Sequence, residues 1–328
     1  MFKFILKRLL LSLMILFFVL FIIYGLMYSL PASYPEKKAR EMASKANQTK
    51  SYEQLLEEMN ERLGMNTDNV FEGYFQWLGT AVQGDFGDSW TWTQPCVTVF
   101  SSKIWYSFSL NVIVFFFELI LAIPLGILAA RKQYSLVDYS VTVFALVGIS
   151  LPSFFVATCL KMIFGGILPT FGTVTAGANL SMSEFEQFID MAKHFILPSL
   201  TLIMVGMGDL MRYTRTNTLE VLNADYIRTA RSKGLPEKRV MNYHAFRNTL
   251  IPIVTIIGNM LPGLFSGAMI TEQLFSFEGI GQAAFTSMMG GDIPFTMFYL
   301  AFSTVLTLVG TLLADILYAV VDPRVRIN

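Results

Sequence analysis

Charge is what this sequence has least of. Its 328 residues hold 24 Lys+Arg and 24 Asp+Glu, 15% of the chain, where a water-facing protein carries about 25%. The balance is zero, so no basic excess points to nucleic acid. Histidine occurs twice, as His194 and His244, and cysteine twice, as Cys96 and Cys159. Two cysteines at that spacing form neither a disulfide framework nor a metal site. Motifs of chemistry are missing too. There is no His-Glu-x-x-His and no Gly-x-Ser-x-Gly, since Gly148-Ile149-Ser150 is followed by Leu151-Pro152. There is no Gly-x4-Gly-Lys-Ser/Thr, because Gly79 through Gly84 is followed by Asp85, so ATP is not bound here by a P-loop. A small disulfide scaffold and a disordered chain are excluded, and an ordinary soluble enzyme is disfavoured.

Long apolar runs are abundant. The chain is 54% apolar with a mean hydropathy of +0.53. A membrane helix needs about 20 apolar residues to cover about 30 Å of hydrocarbon. Runs at 9–30, 104–130, 140–160, 195–211, 250–270 and 293–321 contain only Glu118, Asp209 and Asp315 as charges. They predict an all-α integral membrane protein with six transmembrane helices. The uncharged stretch 162–178 has four Gly, Pro169 and three Thr, a poor helix composition, and 161–194 reads as an outer loop. Charge distribution decides the same point. With six spans and both termini cytoplasmic, the inner segments carry 15 of the 24 basic residues, eight of them between Arg212 and Arg247. A seventh span would put those eight outside. The apolar run at 9–30 is longer than the 7–15 residues typical of a signal-peptide core, and Ser29-Leu30-Pro31-Ala32 is a poor cleavage site, so it is expected to stay as an anchor.

This organisation gives an anchor at 1–30, an extracytoplasmic helical segment at 31–103, and a five-helix core at 104–328 with a cytoplasmic loop at 212–250. In the outer segment, Leu55, Leu56, Met59 and Leu63 recur at helical spacing, with Gly64 as a C-cap, and 71–82 carries Phe71, Tyr74, Phe75 and Trp77. It reads as a small helical cap with an apolar face resting on the bundle, or as a docking surface. The sequons at Asn47 and Asn179 fall outside in this topology. Among the intramembrane charges, Asp209 sits near Arg212 and Asp315 near Arg324, as structural pairs. Glu118 is mid-span with no neighbouring base and is a candidate for the pathway or a partner seam. Glu272 ends its span and is a candidate for a structural hydrogen-bonding role or a gate.

The loop 212–250 is far longer than a connection requires. Leu219, Leu222, Tyr226 and Ala230 fall on one face of a helix predicted over 218–233. Gly234 ends it and Pro236 starts the next. Such a loop is either an interfacial helix whose Lys and Arg meet anionic headgroups, or a rigid knob for a cytoplasmic partner, with Ala230 and Gly234 small so that backbones approach closely.

The ordered motifs decide between these. GDFGDS at 84–89, PLGILAA at 124–130, SLPSF at 150–154, DYIRTARSKGL at 225–235 and HAFRN at 244–248 come first. Glu272, Phe275, Gly279, Gly281, Asp292-x-Pro294 and DPRVR at 322–326 follow. This set resembles the inner-membrane permease subunits of ABC importers, in the dipeptide/oligopeptide branch, over most of the chain. Arg228, Thr229 and Ala230 stand where the wider superfamily has Glu-Ala-Ala, and Arg247 where it has a Pro; both are similar to the peptide branch. Glu278 and the 30–33 stretch depart from the usual prolines at the outer mouth. The resemblance implies a type I ABC importer permease bundle in the bacterial cell membrane. It further implies that Tyr226, Arg228, Ala230, Gly234, Leu235, His244 and Arg247 couple to an ATPase. Implied partners are a second permease, two ATP-binding subunits that carry ATP and Mg, and an extracytoplasmic binding protein. The chain itself would hold no cofactor, metal or catalytic residue. Related machinery carries nickel or oligosaccharides. An ion-gradient-driven transporter is disfavoured, because both histidines fall in or beside loops and the two halves do not repeat.

Overall fold

The structure, a computed structural model, describes residues 2–29, 33–44, 50–63, 69–177 and 182–321. Gly64, both sequons, residues 30–32, the 322–326 motif, and the side chains of His244 and Asp315 lie outside the described residues. The described chain is nearly all helical, with one isolated bridge, Asp88 to Pro95. Five helices are long and apolar enough to cross a membrane, six if one bent pair counts as a span.

Two compact units are formed. The first comprises residues 2–102 and 286–308. It contains α1 (Phe2–Tyr28), α2 (Ser33–Ala43), α3 (Tyr52–Arg62) and α4 (Val70–Val82). Ser51 caps α3 in a capping box with Gln54, satisfying two orphan donors at once. Leu55, Met59 and Leu63 are buried as the spacing required, in one core with Leu20, Tyr24, Tyr74 and Trp77. Tyr24 OH donates to the Leu63 carbonyl at 2.7 Å. The GDFGDS loop folds back on itself, with Gly84 and Gly87 at positive φ. Its Ser89 donates to the buried Asp292 carboxylate, which also accepts from Thr91 N at 3.0 Å and Phe295 N at 3.2 Å. Asp292 thus caps the last helix, and Pro294 sits in its first turn, where a missing N–H costs nothing.

The second unit comprises residues 103–285 and the chain from 309 onward. Its elements are α5 (Cys96–Arg131, which begins in the first unit), α6 (Leu136–Ser150), α7 (Ser153–Phe164), α8 (Glu184–Leu222), α9 (Asp225–Ser232), α10 (Glu237–Arg239), α11 (Phe246–Met260), α12 (Gly263–Ser266), α13 (Met269–Leu274) and α14 (Ile280–Gly290). The last helix, α15, is Ile293–Val321.

Four expectations are corrected. The 140–160 run is not one straight span: α6 and α7 meet at 105°. Leu151 is extended (φ −87°, ψ 127°), the conformation forced on a residue before proline, and Pro152 opens the next helix. The 250–270 run does lie in one candidate span, Phe246–Leu274, but its helix is not continuous: it is interrupted before Pro262 and again at Gly267, whose φ of +75° no helix permits. The outer loop is shorter than 161–194, because α7 runs to Phe164 and α8 starts at Glu184. The helix predicted over 218–233 is two: α8 continues from the membrane to Leu222, Asn223 caps it, and α9 begins afresh at Asp225.

Candidate functional site

The elbow that follows α8 is built from its own sequence. In α9, Ile227 and Ala230 face inward and pack with Val240, Met241 and Ala245, all buried. Gly234 (φ +75°) lets the chain reverse, and a hypothetical Cβ there meets nothing within 4 Å. Its glycine is therefore needed for conformation, not for room. Leu235 N donates to Ala230 O (3.4 Å) and Gly234 N to Arg231 O (2.9 Å), the paired bonds of a Schellman cap, with Leu235 packed on the same cluster. Across the turn, Arg231 holds Glu237 bidentately at 2.8 and 3.1 Å. That donation keeps the Glu237 carboxyl below its ordinary value. The return strand of the elbow is a wide helical turn, Val240–Ala245, which runs without interruption into α11.

The predicted coupling residues divide into two sets. Tyr226, Arg228, Gly234 and Arg247 are exposed, and Arg228 leans only on Asp225 at 3.8 Å. Ala230 is 6% exposed and Leu235 partly buried. Ala230 is thus small so that the elbow can close on itself.

Behind the elbow, α8 is fixed to α6 at two levels. Near the elbow, Arg215 donates to Asp138 through Nε (2.6 Å) and Nη2 (2.9 Å); the Asp138 side chain is 2% exposed and that of Arg215 25%. Tyr134 N and Thr142 Oγ1 complete the carboxylate's shell at 3.0 and 3.4 Å. Deeper in, each helix offers a glycine to the other's backbone. A Cβ on Gly148 would stand 2.6 Å from Met204 O, and one on Gly208 2.6 Å from Ala145 O. Small residues give this closeness in hydrocarbon, where packing rather than hydrophobicity holds helices together. Sequence reasoning missed Asp138–Arg215, since partners 77 residues apart leave no local signal.

The two acidic candidates prove different from one another. Glu272 is fully buried. Its carboxylate accepts from Ser107 Oγ (2.8 Å), Ala268 N (2.9 Å), Gln282 N (3.0 Å) and Gly281 N. Ser107 Oγ in turn accepts from Ile280 N at 2.7 Å. A Cβ on Gly279 would overlap both Ser107 and Glu272, which explains the glycine. Nearby, Lys161 Nζ caps the end of α13 through Leu274 O at 2.7 Å, its ammonium 3.8 Å from the Phe171 ring centre. Glu118 is 6% exposed, and its carboxylate occupies the space left by the missing side chain of Gly206 on α8. Both acids are buried within this chain. Asp209, read from sequence as a structural pair with Arg212, lies 3.8 Å from it, and both side chains are exposed, at 73% and 63%. Among the described residues no cluster of potential metal ligands occurs.

These elements define a helical membrane permease with a protruding, internally braced elbow. The chain belongs to the binding-protein-dependent transport system inner membrane components: that family matches residues 122–327, and the N-terminal region of the same membrane components matches 1–117. It is similar to the oligopeptide transport system permease protein AppB of Bacillus subtilis, 39% identical over 271 residues, covering 82% of this chain and 84% of the relative. It is also similar to the dipeptide transport system permease proteins DppB of Escherichia coli (33% over 275 residues, 78% and 81% covered) and of Lactococcus lactis (34% over 259 residues, 79% and 81% covered). The chain is therefore a multi-pass permease subunit of the bacterial inner membrane, a transport component and not a catalyst. ATPase and substrate-binding protein partners come with the family.

Proposed function

We propose that this permease imports di- or oligopeptides as half of a translocation pathway. A second permease supplies the other half, and each permease's elbow is gripped by one of two ATP-binding subunits in the cytoplasm, where both termini also lie. ATP and Mg are held by those subunits. The observation that carries this reading is the elbow itself. A sealed cluster under α9, a Schellman cap and the Arg231–Glu237 clasp make it stiff, while Tyr226, Arg228 and Arg247 stay exposed. A stiff projection passes on a displacement that a flexible loop would absorb. The Asp138–Arg215 pair and the glycine contacts pass it on to α6. A groove of about 790 Å³ between α5 and α8 suits varied side chains, being lined mainly by apolar residues such as Phe117, Phe195 and Ile203, with Tyr106, Ser109 and Ser199 supplying hydroxyls. Glu272 serves as a structural clasp at the end of its span, and exposed Asp209 rather than Glu118 faces the pathway. The 31–103 segment would be where a binding protein lands.

Reconstitution with the partner subunits in vesicles tests the reading. Peptide uptake should require ATP and the binding protein. Gly234→Trp should abolish uptake while the protein remains inserted. Uptake that follows an ion gradient without ATP, or normal uptake by Gly234→Trp with the ATPase still bound, would overturn it.

A further inference from the structure

The helix α4 lies in the stretch that reads from sequence as a small extracytoplasmic cap resting an apolar face on the bundle, and its contacts reach the middle of a span. Tyr74, fully buried, donates from its hydroxyl to Phe17 O at 3.0 Å. The Phe75 ring lies 6.1 Å from the Phe17 ring, and Phe71 stacks on Phe21 at 5.0 Å. Phe17 is the central residue of the 23-residue span Leu6–Tyr28. Counting back from Tyr28 at about 1.5 Å per residue, Phe17 is roughly 16 Å and Phe21 roughly 10 Å below the end of the span. Half the hydrocarbon thickness is about 15 Å.

The residue pattern of α4 suits that depth. Gly73, Tyr74 and Trp77 form its buried face. Phe71, Phe75 and Val82 form a second stripe, at 61%, 56% and 79% exposure, with Leu78 between them. On α1, Phe18, Ile22 and Leu26 are equally exposed. Glu72, Gln76, Thr80 and Gln83 form a third stripe, from which Gln76 reaches the Glu61 carbonyl of the polar helix α3 at 3.4 Å. Both ends of α4 are capped from within: Asn69 accepts from Phe71 N at 3.0 Å, and Gly84 N and Asp85 N bond back to Ala81 O and Thr80 O. A helix bordering hydrocarbon needs its terminal amides and carbonyls satisfied in this way.

We infer that α4 is a membrane-bordering helix. It is seated in the leaflet on the side where α1 ends, with Phe71, Phe75 and Val82 against acyl chains and the Glu72–Gln76 stripe turned toward α3 and water. The stripe continues the lipid-facing surface of α1, so α1 and α4 are one lipid-contacting hairpin rather than an anchor followed by a soluble cap. The inference depends on α1 spanning the bilayer and not on what is transported.

Nitroxide labels at Phe75→Cys, Ile22→Cys and Glu72→Cys, in a background with Cys96 and Cys159 replaced by Ala, read the environment directly. The permease complex would be placed in phosphatidylethanolamine/phosphatidylglycerol vesicles and relaxation by oxygen compared with relaxation by a water-soluble nickel chelate. At positions 75 and 22, oxygen should exceed the chelate several-fold; at position 72 the order should reverse. A position-75 label relaxed by the chelate as strongly as position 72 would overturn the inference in favour of water. One shielded from both would overturn it in favour of a protein partner. If the cysteine-free background does not assemble, labelling of Phe75→Cys in the native background by a membrane-impermeant maleimide in intact vesicles gives a second reading. Rapid labelling of position 75 would count against lipid, and protection at 75 with labelling at 72 would support it.

Discussion

Asp138→Asn removes half of the ion pair that ties α6 to α8 just behind the elbow. The native carboxylate takes two bonds from Arg215, at 2.6 and 2.9 Å, on a side chain 2% exposed. Breaking a buried pair by removing one partner costs about 3–5 kcal/mol, because the other charge is left without compensation. Here the Arg215 side chain is 25% exposed, so water recovers part of the guanidinium's solvation and the cost falls to about 2 kcal/mol. At about 2.1 cal/mol/K of unfolding entropy per residue, 328 residues give about 1.5 °C per kcal/mol, so the apparent melting temperature in detergent should drop by about 3 °C. Variants are to be compared at one scan rate, because many large proteins unfold irreversibly and the midpoint then depends on the rate. Arg215→Ala alone should cost more, about 3–5 kcal/mol, because it leaves the 2% exposed Asp138 carboxylate without its partner. Asp138→Asn/Arg215→Ala should cost clearly less than the sum, with an interaction energy of about 1–2 kcal/mol. In reconstituted vesicles Asp138→Asn should lower the peptide imported per ATP hydrolysed more than it lowers ATPase activity. Additive singles, or an unchanged melting temperature with unchanged coupling, would refute the reasoning.

Two further outcomes follow from the same geometry. Glu272→Gln places an amide NH2 among four donors, so one donor is left unmet at about 1–3 kcal/mol; yield and melting temperature should fall, and Ser107→Ala on the same network should show non-additivity with it. The Arg231–Glu237 clasp has a pH signature. Because Arg231 lowers the Glu237 carboxyl from its ordinary 4.5, its contribution is complete above that value and is lost as pH falls through the depressed one. With side chains 44% and 56% exposed it amounts to only a few tenths of a kcal/mol, so intrinsic-rate-corrected exchange of the Leu235 amide should rise below pH 4.5 in the native protein but not in Glu237→Gln.

Much of the architecture was legible because lipid imposes simple rules. Runs of apolar residues mark the spans, and Gly234 and Pro236 mark the elbow's turn, since conformation at those positions is set by the residues themselves. What escaped was whatever depends on a distant partner. The capped break at Asn223 has no proline or glycine to announce it. Ala230 reads as a small contact residue until Val240 and Met241 are seen to close over it. Asp209 and Glu118 were assigned by their sequence neighbours, yet exposure is decided by which face of α5 or α8 meets another helix, and Gly206 alone makes room for Glu118.

Rigid and pliant segments of the second unit alternate along the chain, and this restricts where a displacement of the elbow is absorbed. From Ala145 to Arg215, glycine-to-carbonyl contacts and a two-pronged ion pair join α6 and α8, and sliding one past the other by a single residue would drive Met204 O or Ala145 O against a side chain. Packed interfaces of this kind shift as bodies, not by gradual deformation. The breaks in helix lie at their ends: the 105° bend at Pro152, the break at Asn223, and Pro262 and Gly267 on the far side of α11. Force applied to α9 through the proposed coupling would therefore turn α6 and α8 together and reach the Glu272 clasp by way of α11. That clasp is the one place where α5, α13 and the 275–282 turn share a single carboxylate. Stiffness at the elbow with hinges at the prolines is the arrangement an alternating-access device requires, and a chain with those two properties exchanged would spend the stroke bending its own loop.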